Sequence, residues 1–273
     1  MTGILAQTIT LTSYGNEYLE NGKLNDFYPQ NSSFEHCHSV EFKEINKKYF
    51  FSKKTEIVCA KNPIEWFELL KKEGCKKLRL FYQSEKEDDH KLAGFVGGGG
   101  NFFIECVFEN YSDFWINNWN YDENLDEKPW KVFYGKAVSK QPTKNQQYNL
   151  VEIRTKLKNV LEEITEFAFK ETTENWGNIF EKSKNTLESD KPESEFYHND
   201  LIVQNNYELE NRQLLMSASK SFVFGGMGSW NDMWFENEDT EKKYNELSTE
   251  LYGMMMKTIV GTINKDKREK AIA

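Results

Sequence analysis

Residues 62 to 83, NPIEWFELLKKEGCKKLRLFYQ, carry the signals of a helix that runs at once into a strand. Asn62 can cap a helix, and Pro63 suits its first position because its missing N–H is not needed there. Glu65 and Glu68 lie early and Lys71 and Lys72 late, matching the sign of the helix dipole at each end. Gly74 then suits the residue just past the helix, where a left-handed backbone closes the last turn. The run KKLRLFYQ, residues 76 to 83, reads as extended chain.

Working outward from this pair, LAGFVGGGGNFFIECVF, residues 92 to 108, reads as two strands around a glycine turn. Phe103, Glu105 and Val107 alternate with Phe102, Ile104, Cys106 and Phe108. Apolar side chains on both faces predict a central strand. Gly97 to Gly100 and Asn101 permit positive φ in the turn. KVFYGKAVS, residues 131 to 139, predicts a further strand, and weaker strand signals lie near residues 6–12, 38–43 and 55–60.

Past the polar connection QPTKNQQY the period changes. Ile153, Leu157, Val160, Leu161, Ile164, Phe167 and Ala168 recur at helical spacing and predict an amphipathic helix of roughly 20 residues or more. Further helices are predicted over 172–187, 206–219 and 240–263, the last burying Tyr244, Leu247, Leu251, Met254, Met255 and Ile259. The expected class is therefore α+β. Residues 1–142 would form a mostly antiparallel sheet with one short helix. Residues 143–273 would supply long amphipathic helices packed on it, as a second part or within one continuous domain.

Composition narrows the function. Mean hydropathy is only −0.76, yet 15% of the 273 residues are aromatic, which disordered chains lack. A net charge of −9 disfavours nucleic acid and anionic membrane surfaces and suits a basic protein partner. Cys37, Cys59, Cys75 and Cys106 are scattered without C-x-x-C spacing, so reduced thiols are expected. With no signal-peptide pattern in MTGILAQTIT, the expected location is the cytoplasm.

The chemical motifs are incomplete. In EHCH, residues 35–38, a strand would put His36 and His38 on one face and Cys37 on the other, with no second ligand cluster, so no metal is expected. YDENLDEKPW, residues 121–130, echoes a calcium loop but has Glu127 where Gly is needed and Phe133 where Glu is needed. Trp115, Trp119 and Trp130 flank it and could form an aromatic platform for a sugar or a basic peptide, or simply lie in the core. His198 and Asp200 are close in sequence, but no serine sits in a nucleophile motif. No cofactor-binding motif is complete, and no cofactor or catalytic residue is assigned.

The most distinctive stretch is SFVFGGMGSWNDMWFENED, residues 221–239. It lacks the Lys of a phosphate loop, the third glycine of a dinucleotide loop and the G-x-S-x-G frame of a nucleophile elbow. What remains is a turn at Gly225, Gly226 and Gly228 after an apolar strand. It presents Trp230, Asn231, Asp232, Trp234 and Glu236, either packed inward or as a partner-binding surface. Between residues 230 and 250 seven acids face only Lys242 and Lys243. The segment FVFGGMGSWNDM, residues 222–233, resembles segments of bacterial proteins from toxin–immunity gene neighbourhoods. That resemblance implies a cytoplasmic immunity-type protein that neutralises a cognate toxin. The alternative is a small glycoside or ester hydrolase working with acidic and aromatic cleft residues.

Overall fold

The structure is a computed structural model, and it describes residues 1–46, 55–84, 89–95, 98–139, 146 and 148–265. Among them are seven α-helices and six strands, so the chain is α+β. The strands are β1 (Cys37–Asn46), β2 (Thr55–Ala60), β3 (Lys77–Gln83), β4 (Asn101–Val107), β5 (Ser112–Tyr121) and β6 (Trp130–Ser139). They form one sheet in the order β2-β1-β6-β5-β4-β3. Only β1 and β6 run parallel; every other neighbouring pair is antiparallel.

The helices are α1 (Gly3–Asn21), α2 (Pro63–Lys72), α3 (Asp89–Leu92), α4 (Leu150–Glu171), α5 (Glu174–Thr186), α6 (Leu209–Lys220) and α7 (Glu238–Asn264). Helix α2 follows its local signals: the Asn62 side chain accepts from Glu65 N, and Gly74 takes φ +82°. Helix α4 buries Ile153, Leu157, Val160, Leu161, Ile164, Phe167 and Ala168, the stripe its spacing predicts.

The strand expected at residues 6–12 is instead the middle of α1. The run TITLT alternates β-branched residues, which locally favours a strand. Tertiary burial overrides that preference. One side of α1 (Leu5, Ala6, Ile9) packs into a core shared with α4–α7. Leu11 packs into a second core with Phe42, Trp66, Trp115 and Tyr134. Buried on several sides, the helix pairs two of its hydroxyls internally: Thr8 donates to Ile4 O at 2.7 Å and Thr12 to Thr8 O at 2.8 Å. Gln7 lies in the same interior and accepts from the Tyr134 hydroxyl at 2.9 Å.

Strand β3 is a sheet edge, and two asparagines close it. Asn16 of α1 donates to Leu78 O at 2.9 Å and accepts from Leu78 N at 2.8 Å. Asn264, at the end of α7, does the same for Leu80, both at 2.8 Å. Each side-chain amide supplies one donor and one acceptor, as a neighbouring strand would, so this stretch of edge offers no free backbone to another chain.

One further expectation is corrected. Residues 92–100 hold no strand among the described residues, because α3 ends there and a turn leads into β4. Strand β4 does lie between two neighbours, as its two apolar faces suggest. Strand β5 was not read from the sequence: its second half, INNWNY, is rich in Asn, which is poor in strands. Pairing with β4 and β6 on both sides holds it extended.

Candidate functional site

The glycine turn at residues 225–236 is built from the inside. The segment 221–225 is irregular, not the expected strand: Ser221 caps α6, and the chain then leaves without pairing in the sheet. Of the three glycines only Gly228 takes positive φ, at +82°. Its N–H is received by the Asp232 carboxylate, which closes the turn.

Trp230 is not at the surface. It is fully buried among α4, α5 and α7, edge-on to Phe180 at 5.0 Å and Trp176 at 5.5 Å. Its Nε1 donates to Ser248 Oγ at 2.8 Å, and its carbonyl accepts from the Tyr244 hydroxyl at 2.6 Å. Burial of a large ring with its one donor paired outweighs exposure. Asn231 also turns inward, its amide donating to His90 O at 2.9 Å.

The other proposed contact residues stay outside. Trp234 is 70% exposed and Met227 fully exposed. Asp232, Glu236, Glu238 and Asp239 are exposed around them. Glu241 is partly committed within the fold, accepting from Phe235 N at 3.0 Å and Asn245 Nδ2 at 2.9 Å. Trp230 thus acts as the anchor of a turn that displays Met227 and Trp234 beside acids. Sequence periodicity could not separate the two tryptophans, because the short 3₁₀ turn at Trp230–Asp232 follows neither the strand nor the α-helix repeat.

A second concave site lies where the start of α1 meets β4 and β5. It is a cleft of about 590 Å³. Its walls include His36, Cys37, Asn117, Trp119, Trp130 and His198. Trp119 and Trp130 meet edge-on at 5.7 Å. Trp115 does not join them: it is buried in the core beneath the sheet. His36 and Cys37 line this cleft, while His38 lines a separate groove with Lys43 and Phe133. The expected shared face of the two histidines fails because His36 precedes β1 and the pairing of β1 with β6 shifts register between Cys37 and Ser39. No group of three or more His, Cys, Asp or Glu able to hold a metal occurs among the described residues. The four cysteines form no disulfide.

At one end of the cleft the fold joins residues far apart in sequence: Ser32, His198 and Asp200. Ser32 Oγ lies 2.8 Å from His198 Nδ1 and also donates to Asp200 Oδ1. Ser32 N donates to Asp200 Oδ2 at 2.8 Å. The order is wrong for a nucleophilic relay. In such a relay the imidazole stands between serine and carboxylate and takes the serine proton. Here the serine stands in the middle, its proton directed to the carboxylate, and His198 donates Nδ1–H to it. The cluster ties the 190s loop to residues 31–32, with Asn31 also donating to Asp200 O at 2.6 Å.

Burial, and after it the positive N-terminal amine nearby, lowers the His198 pKa from 6.5 to about 4, outweighing the carboxylates of Asp200 and Glu35, which favour the cation. Below about pH 6.5 the unfolded chain takes up a proton that the folded chain refuses until about pH 4. This contribution to stability is therefore present at neutral pH and is lost as pH falls through that window. The urea midpoint of the native protein should fall between pH 7 and pH 4.5 by more than that of His198→Asn, which keeps an N–H donor but has no titrating ring. Equal falls in the two proteins would show that His198 does not carry the effect.

Comparison of the chain with protein-family models, with curated proteins and with solved structures finds no match.

Proposed function

We propose that this chain is a non-enzymatic protein-binding module whose docking element is the turn at residues 225–236. The observation that carries this reading is Trp234, held 70% exposed on a turn that Trp230 anchors in the core. A large rigid side chain displayed on a fixed backbone loses little entropy on binding, which is why tryptophan is common at binding hot spots. Met227 beside it adds an adaptable apolar surface. The exposed carboxylates of Asp232, Glu236, Glu238 and Asp239 favour a basic partner and speed its capture. A cytoplasmic immunity-type protein that occludes a basic toxin domain fits these features. No helix among the described residues is long and apolar enough to cross a membrane. A hydrolase is less well supported, since the Ser32 cluster lacks the proton relay that acyl transfer needs.

The test begins with capture of the partner from the native host and its identification by mass spectrometry. Trp234→Ala should then weaken binding by about 2 kcal/mol or more, mainly through faster dissociation. Glu236→Gln and Asp232→Asn should mainly slow association, with an effect that shrinks as salt rises. Asn at 232 keeps an oxygen acceptor for Gly228 N, so the turn should survive. Unchanged affinity in a folded Trp234→Ala variant would remove the turn from the interface.

A further inference from the structure

The cleft at the start of α1 has one ionisable backbone group in its wall, the Met1 amine, and burial lowers that amine to about 6, so it is mostly neutral at pH 7. None of the described residues lining it is Asp, Glu, Lys or Arg, although 29% of the chain is charged. At pH 7 the described lining therefore offers a charged ligand no charged side chain to pair with, and a carboxylate or ammonium entering it would lose hydration with little compensation. An uncharged ligand pays no such penalty. The cleft volume of about 590 Å³ falls in the range of small-molecule sites, about 300–1,000 Å³.

The walls also state a shape preference. Rings come from separate parts of the chain: Phe95 after α3, Phe102 on β4, Trp119 on β5, Trp130 on β6, Phe222 after α6 and Tyr252 on α7. The Tyr252 hydroxyl is committed to Gly99 O at 2.6 Å, so it offers the cleft its ring. Rings of this kind favour stacked or edge-on aromatic partners.

Two polar groups of the wall are acceptors held in place. Asn117 donates Nδ2 to Phe102 O at 3.0 Å, which fixes its amide and leaves Oδ1 able to accept. His198 uses Nδ1–H on Ser32 Oγ, so the neutral ring keeps its Nε2 lone pair. Tyr197, also in the wall, donates its hydroxyl to the exposed Glu35 carboxylate, which is thereby paired.

We infer that this cleft is a binding site for an uncharged aromatic small molecule that carries a hydrogen-bond donor. The ring lies against the aromatic walls, and the donor pairs with Asn117 Oδ1 or His198 Nε2. The site is separate from the docking turn and stands whether or not that turn binds a protein.

Three probes with one indole ring and different charge test this: neutral N-acetyltryptophanamide, anionic N-acetyltryptophan and cationic tryptamine. Titrations of the full chain at pH 7, followed by backbone amide NMR, should show saturable shifts in β5 and residues 98–101 with the neutral probe. Its affinity should exceed that of both charged probes by about tenfold. Phe95→Ala removes a ring that is 64% exposed and should weaken the neutral probe about fivefold without changing Tm. Asn117→Asp places a carboxylate in the wall and should turn the preference toward tryptamine. The inference falls if the neutral probe does not saturate, if the charged probes bind equally well, or if Phe95→Ala leaves its affinity unchanged. Should Asn117→Asp fail to fold, the other two measurements decide the question.

Discussion

Trp230→Ala should lower the unfolding free energy by about 3–5 kcal/mol, the range for truncating a buried tryptophan or phenylalanine. The ring is fully buried in the core shared by α4, α5 and α7, so its loss leaves a cavity beside Phe180 and Trp176. It also removes the indole N–H that Ser248 Oγ accepts at 2.8 Å, and a hydrogen bond lost from the interior carries its own cost. Trp234→Ala, only four residues on, should change stability by less than about 0.5 kcal/mol, as surface substitutions generally do. Urea denaturation of both variants with a common m value measures the contrast. A loss below about 1 kcal/mol for Trp230→Ala would mean that this ring does not anchor the turn.

Gly94→Ala should have the second largest effect. A Cβ at Gly94 would fall inside the van der Waals radii of the Gly225 carbonyl and of Gly226 N. These are backbone atoms, not a movable side-chain end, so either the α3 segment or the turn must shift. Overpacking of this kind costs about 1–3 kcal/mol. The same contact ties the two segments together, since Asn231 Nδ2 reaches from the turn to His90 O. Gly94→Ala should therefore lower Tm and also weaken partner binding, although Gly94 lies outside the docking residues. Gly226→Ala is the control: its Cβ would meet nothing within 4 Å. Equal melting temperatures for the two variants would show that the interlock is not close enough to matter.

The difference between these neighbours marks where local reading ends. Asn62, Pro63, Glu65 and Gly74 prescribe α2 through capping and dipole effects that act within one turn. The apolar spacing from Ile153 to Ala168 prescribes α4, because a helix repeats every 3.6 residues whatever it packs against. Those rules made the α+β class legible, together with the turn at Gly228, whose φ of +82° suits glycine. The acidic character around Trp234 was legible too, since charge is a property of composition.

Contacts between distant residues decided the rest. TITLT became a helix because two cores meet across α1, and no window of that sequence contains Trp115 or Leu161. Trp230 went inward and Trp234 outward because Ser248 and Phe180 were waiting on α7 and α5. Ser32 joined His198 and Asp200 across more than 160 residues of chain, and only the assembled geometry shows the serine in the middle. The aromatic cleft likewise draws its walls from at least five separate segments. Sequence by itself determines what local periodicity, capping and composition can specify. Burial, hydrogen-bond order and the lining of a cleft depend on partners remote in the chain, so for this protein only the tertiary structure decided them.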